Sequence, residues 1–166
     1  MGVEIHMRRL IVCALSLLLV ACGYQLRGTA EWPDSLARIQ LSGAGLTPEF
    51  ERHLVPALRR AGARLVDDSA AATATLEIVG VDEGRDLLAL GVGSTVRDFQ
   101  LAVSIDFRLH EKAEASSPRG GRVSAQRGIQ TSATNVTAAL AEARRVQGEL
   151  RDEAIAALVR RLVAGR

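Results

Sequence analysis

The thiols, imidazoles, carboxylates and guanidinium groups through which this 166-residue chain could do chemistry are unevenly placed. Both cysteines, Cys13 and Cys22, fall within the first 22 residues, so nothing downstream can form a disulfide or a thiolate metal site. The later histidines, His53 and His110, lack a second histidine at ligand spacing and read as surface or loop residues. There is no Gly-x-Ser-x-Gly elbow and no His-Glu-x-x-His pair. Gly91-Val92-Gly93-Ser94 lacks the third glycine of a dinucleotide loop and reads as a connection between strands. Asp82, Glu83, Asp86 and Asp98 are interspersed with Arg85 and Arg97, the pattern of charges solvating one another at a loop. The residues therefore predict no catalytic centre, no metal site and no cofactor. Lys112 is the sole lysine among 21 basic residues. The arginines at 85, 97, 119, 122 and 127 fall in or beside strand connections, where forked guanidinium groups suit phosphate. A net charge of +2 and 3% aromatic residues argue against nucleic acid as the partner.

The remaining reactive group is the thiol of Cys22. Arg8 and Arg9 precede an uncharged apolar run over residues 10–21, the pattern of an export signal. As a helix the run would be about 18 Å long, too short for a bilayer core of roughly 30 Å. Its end, Leu19-Val20-Ala21-Cys22, resembles the lipobox of bacterial lipoproteins. That resemblance implies cleavage before Cys22, a diacylglycerol on its sulfur and an acyl group on its new amino terminus. Three chains exceed the two needed for stable membrane attachment. Gly23, in place of an aspartate, favours the outer membrane. Residues 1–21 are thus the expected signal peptide, 22–35 a lipidated tether and 36–166 a single domain.

The domain must come from alternating and helical patterns. Arg38 to Ser42 alternates as a short strand, and Thr47-Pro48 is a capped helix start with Phe50, Leu54, Leu58 and Ala61 on one stripe and Gly62 as a stop. Pro56 predicts a kink or early break in that helix. Leu76 to Val81 reads as a second strand. The strongest follows, with Phe99, Leu101, Val103, Ile105, Phe107 and Leu109 apolar and Gln100, Ser104, Asp106 and Arg108 polar between them. A turn at Ser116 to Gly121 leads to a weaker strand over 123–133, and a long helix over Asn135 to Val163 carries Val136, Leu140, Ala143, Val146, Leu150, Ala154, Leu158 and Leu162. Asn135-Val136-Thr137, although a sequon, reads as a helix cap. The order β-α-β-β-β-α predicts an α+β fold with two helices on one face of a roughly four-stranded mixed sheet. Its other face, bearing Gln100, Ser104, Asp106 and Arg108, is left uncovered.

After Cys22 stands Gly23-Tyr24-Gln25-Leu26-Arg27-Gly28, and the lipobox followed by Cys-Gly-aromatic-x-Leu-Arg-Gly resembles the start of mature LPS-assembly lipoproteins of the LptE family. The strand at 38–42, the helix closing at Ala61-Gly62, the strand entry Arg97 to Leu101 and the end of the last helix at Arg160-Arg161-Leu162 follow that family's order. The resemblance implies a non-catalytic outer-membrane lipoprotein, on the periplasmic side and in the barrel lumen, that plugs and helps assemble the LptD β-barrel and binds lipopolysaccharide. The basic residues the family uses near the loop between its second and third strands and near the start of its last helix have no counterpart in Leu90 to Thr95 or Ala138 to Ala141. Arg85, Arg97 and Arg127 are the substitute candidates for lipid A phosphates. A carrier or pilotin for another hydrophobic cargo or secretin is the alternative.

Overall fold

The computed structural model describes residues 32–90, 96–112, 118–132 and 136–165. Cys22, the motif at 23–28, the leader, Gly91 to Ser94 and Asn135 lie outside them, as do the turn residues 116 and 117.

Pro33 leads into a 3-10 turn over Asp34–Leu36, and β1 follows at Arg38–Ser42. Helix α1 spans Pro48–Ala61. The Thr47 hydroxyl accepts a hydrogen bond from the Phe50 amide at 3.2 Å, satisfying one of the orphan donors of the first turn. Gly62 ends the helix at φ +113°, a conformation that glycine adopts without a Cβ penalty. Phe50, Leu54 and Leu58 bury one stripe, as their spacing requires. The early break expected at Pro56 does not occur. Arg52 and Pro56 are both exposed, so the Arg52 carbonyl that loses its amide partner lies on the wet side of the helix.

Strand β2 is a two-residue piece, Arg64–Leu65, that the alternation rule does not reveal. It raises the sheet to five strands in the order β2-β1-β3-β4-β5, with β1 parallel to β2 and β3 and the remaining pairs antiparallel. Strands β3 (Ala74–Leu90), β4 (Val96–Glu111) and β5 (Arg119–Ser132) are long. Helix α2 spans Val136–Ala164.

Strand β3 is far longer than its sequence suggests, because its alternation changes phase. Ala74, Leu76 and Ile78 point into the core, and Ile78 faces Phe107. A bulge then leaves Val79 without a partner, so that Val81 rather than Gly80 faces Ile105 on the core side. Glu83 and Arg85 continue on that side, opposite Val103 and Leu101. Asp82, Glu83, Asp86 and Arg85 therefore belong to a strand and not to a loop. The β4–β5 hairpin is also longer than expected, with Leu109 opposite Arg119, so Arg119 to Gly121 are strand residues rather than turn residues.

Both helices pack on one face of the sheet around a single core. Leu150, Ala154, Ile155, Leu158 and Leu162 of α2 meet Val103, Ile105 and Phe107 of β4 there, together with Leu54 and Leu58 of α1. Leu140, expected in the buried stripe, is 45% exposed because the stripe meets the sheet only from Ala143 onward.

Candidate functional site

The uncovered face of the sheet consists of polar and small side chains in rows set by the strand register. Gly84, Ala102 and Gln126 stand side by side across β3, β4 and β5, as do Asp82, Ser104 and Ser124, and then Gly80, Asp106 and Arg122. Most of its charges have partners within the face, Asp86, opposite Gln100, being the exception. The Arg122 guanidinium donates to Asp106 at 2.8 Å through Nε and at 2.5 Å through Nη2, and reaches Asp82 at 3.5 Å. Those hydrogen bonds hold the Asp106 carboxyl below the usual carboxylate range and raise Arg122 further. Gln100 Nε2 donates to Gln126 at 2.7 Å, while Arg108 and His110 both approach Glu77 at 3.6 Å. Beside Arg122, a shallow depression of about 470 Å³ is lined by Val79, Asp106, Arg108 and Pro118. The uncovered polar face expected from Gln100, Ser104, Asp106 and Arg108 is thus present, and Arg122 completes it. Hairpin register was the signal for Arg122: once β5 is laid against β4, it stands opposite Asp106.

On the helix side, the bulge in β3 brings Glu83 beneath α2. Its carboxylate accepts from Arg151 Nε at 2.8 Å and from Gln147 Nε2 at 2.6 Å, and Arg151 also reaches Glu49 at the start of α1 at 3.1 Å. Arg151 is only 15% exposed. Burial works against its charge, but Glu83 and then Glu49 outweigh it, and its pKa is raised above the ordinary arginine value. One guanidinium therefore joins β3, α1 and α2. The pattern of α2 hinted at it, since Arg151 adjoins Leu150 at the edge of the apolar stripe.

Of the three arginines expected to take phosphate, two stand together on the helix-covered side of the sheet. Arg85 and Arg127 occupy one row there, on either side of Leu101. Arg85 is exposed, with its guanidinium carbon 3.8 Å from the centre of the Phe99 ring. Arg127 pairs with Glu149 at 2.6 Å and Glu153 at 3.6 Å on α2, so its charge is already answered. By backbone position Arg97 stands in β4 opposite Leu90 and Thr131, four residues from that row. Glu142, Arg145 and Glu149 extend the Arg127 pairs into a surface network along α2. The Arg145 hydrogen bonds hold the Glu142 carboxyl below its ordinary value.

The family model described as LptE, Lipopolysaccharide-assembly, matches residues 35–162. The chain belongs to the LptE family. Curated relatives include the LPS-assembly lipoprotein LptE of Yersinia enterocolitica, 27% identical over 95% of this chain and 76% of that protein. The protein of that name from Pectobacterium atrosepticum is also 27% identical, over 92% of this chain and 83% of its own length. Among solved structures, lipoprotein B of Nitrosomonas europaea superposes with a TM-score of 0.67 at 21% identity, covering 86% of this chain and 91% of the other. A minor lipoprotein of Acinetobacter baumannii gives 0.63 at 20% identity over 79% and 93%. At those identities the structures establish a shared α+β fold, the one expected from the sequence apart from the fifth strand. Among the described residues of this LptE-family chain, no helix is long and apolar enough to cross a membrane.

Proposed function

We propose that this LptE-family chain is a non-catalytic outer-membrane lipoprotein, acylated at Cys22. In this reading it sits as a plug in the lumen of an LptD-like β-barrel, assists that barrel's assembly and contacts lipopolysaccharide in transit. Gly23, Tyr24, Leu26, Arg27 and Gly28 are the first residues of the tether beyond the anchor. The observation that carries the reading is the uncovered sheet face. It is polar, interspersed with small residues, and its Asp106–Arg122 pair is neutral as a unit. The lumen of a transmembrane barrel is itself polar, so such a face can lie against it without stripping a bare charge of water. Lipid A phosphates call for free cations, and of the three candidates Arg85 and Arg127 are both exposed, but Arg127 is already paired with Glu149 and Glu153.

The test is depletion of the protein, followed by measurement of mature barrel and of surface lipopolysaccharide. Both are expected to fall, and the chain is expected to co-purify with a large barrel. Normal levels of both, or a stable complex without a barrel, would refute the proposal. Saturable binding of an apolar cargo by the isolated domain at matched stoichiometry would favour a carrier instead. For the ligand, Arg85→Gln is expected to weaken binding to phosphorylated lipid A more than to its dephosphorylated form, and Arg127→Gln to have the smaller effect. Equal loss on both ligands would point to damaged packing.

A further inference from the structure

One end of the domain gathers arginines that have no carboxylate to answer them. The C-terminus of α1, with Arg59 and Arg60, runs through Gly62 into β2, where Arg64 lies opposite Arg38 of β1. The C-terminal turn of α2 reaches the same end of the sheet, where Arg161 and Leu162 lie beside Leu109, the close of β4, and Arg119, the start of β5. Five strands separate the two clusters by four inter-strand spacings, about 19 Å. Arg119 is neutralised by Glu111. Among the described residues, Arg59, Arg60, Arg64, Arg160 and Arg161 are all exposed and have no ion-pair partner. The helix macrodipoles explain only part of this, since each C-terminus carries roughly half a negative charge and is given two guanidinium groups.

The chain enters the domain at this same end. Trp32 lies against Gly62, where an added Cβ would come within 2.9 Å of the Trp32 Cβ, and its indole Nε1 donates to the Leu36 carbonyl at 2.7 Å. The indole thereby fixes the entering strand two residues from Arg60. From Trp32 back to Cys22 is ten residues, a reach of at most about 35 Å. An anchor at Cys22 would hold this end, rather than the distal β3–β4 end, near the membrane surface.

We propose that the arginine-rich end around Trp32 docks on anionic phospholipid headgroups of the leaflet that holds the Cys22 acyl chains. The inference rests on the acylation reading for its membrane and on the fold for its charge. Unpaired guanidinium groups suit phosphate bidentately, and they act on the headgroups only within a Debye length of about 8 Å. Each arginine brought to an anionic surface is expected to contribute about fivefold in affinity.

Trp32 is the chain's only tryptophan, so its fluorescence reports on this end alone. The experiment uses the mature chain extracted from membranes and two sets of vesicles, one of phosphatidylcholine and one with a quarter phosphatidylglycerol. Both carry a headgroup-labelled quencher. Flotation with the neutral vesicles reads the anchor. Stronger Trp32 quenching in the acidic vesicles, lost in 0.5 M salt (Debye length about 4 Å), reads the docking. The variant Arg59→Gln/Arg60→Gln/Arg160→Gln/Arg161→Gln is expected to reduce the acidic-vesicle quenching to the neutral level, with its circular dichroism melt unchanged. Should that variant misfold, Arg64→Gln and the salt titration of the unaltered chain supply the same comparison. Failure to float with neutral vesicles would count against acylation, while the acidic-vesicle quenching would still decide the docking. Equal quenching of the unaltered chain by the two vesicles overturns the proposal. So does quenching that survives loss of the arginines while a protein partner is lost, which would assign the surface to protein.

Discussion

Removing the Arg151 side chain tests the claim that one guanidinium ties three elements together. Its two bonds differ in worth. Glu83 is 25% exposed, whereas Glu49 is 62% exposed. A pair as wet as Arg151–Glu49 contributes about 0–1 kcal/mol. Breaking a fully buried pair by deleting one partner costs about 3–5 kcal/mol. Glu83 keeps its hydrogen bond from Gln147 and some access to water, which offsets roughly half of that. Arg151→Ala should therefore lower unfolding stability by about 2 kcal/mol and the thermal midpoint by about 7 °C for a domain of this size. The assay is urea unfolding followed by circular dichroism, in double-mutant cycles with Glu83→Gln and with Glu49→Gln. Coupling to Glu83 is expected near 1.5 kcal/mol, and coupling to Glu49 below about 0.5 kcal/mol. The unfolding slope should stay constant, since no element is lost. If Arg151→Ala is as stable as the parent, or if Glu49 carries the larger coupling, the reasoning from burial fails.

Further outcomes follow from the same geometry. Gly62→Ala forces a Cβ into the left-handed region and against Trp32, so it should cost about 1–2 kcal/mol and shift Trp32 emission to the red. Ile105→Ala, at a fully buried position in β4, should cost about 2–5 kcal/mol in urea unfolding. The folded pKa values of Asp106 and Glu142 are lowered by arginine partners. Their stabilisation is thus complete above the ordinary carboxylate range and is lost as pH falls through the lowered values. Asp106→Asn should flatten the fall in stability below about pH 4, read as melting temperature against pH. An unchanged fall would mean that the pair is not formed in solution.

The sheet's polar face and the helix stripes were legible because both depend on periods that a sequence displays directly. Strand β4 alternates without interruption, and α1 carries its cap, its first-turn proline and its terminal glycine in plain order. What escaped depends on relations between segments. The bulge at Val79 inverts the alternation of β3, so a seventeen-residue strand reads as a short one followed by a charged loop. That one inversion also conceals why Glu83 faces Arg151. Strand β2 is too short to show a period at all. Arg127 shows the same dependence on packing: its type suits phosphate, and only the placement of α2 over β5 shows that Glu149 and Glu153 lie within ion-pair reach of it.

If the chain is the barrel plug proposed above, the placement of its charges bears on how it would be held. On the uncovered face Arg122 of β5 pairs with Asp106 of the neighbouring β4 and reaches Asp82 of β3, so the central charges are matched before any partner arrives. A surface of that kind gives up little solvation on docking and gains little Coulomb attraction, which leaves shape and hydrogen bonds to set its affinity. The arginines at the Trp32 end are the opposite case, unpaired and dependent on an outside anion. On these proposals, specific fit at the face and non-specific attraction at the Trp32 end answer to different perturbations. Added salt should weaken the hold of the Trp32 end on lipid and leave a barrel complex intact, whereas a bulky substitution such as Ala102→Trp in the middle of the face should do the reverse. Salt-driven dissociation of the barrel complex would show that paired charges are not what the barrel meets.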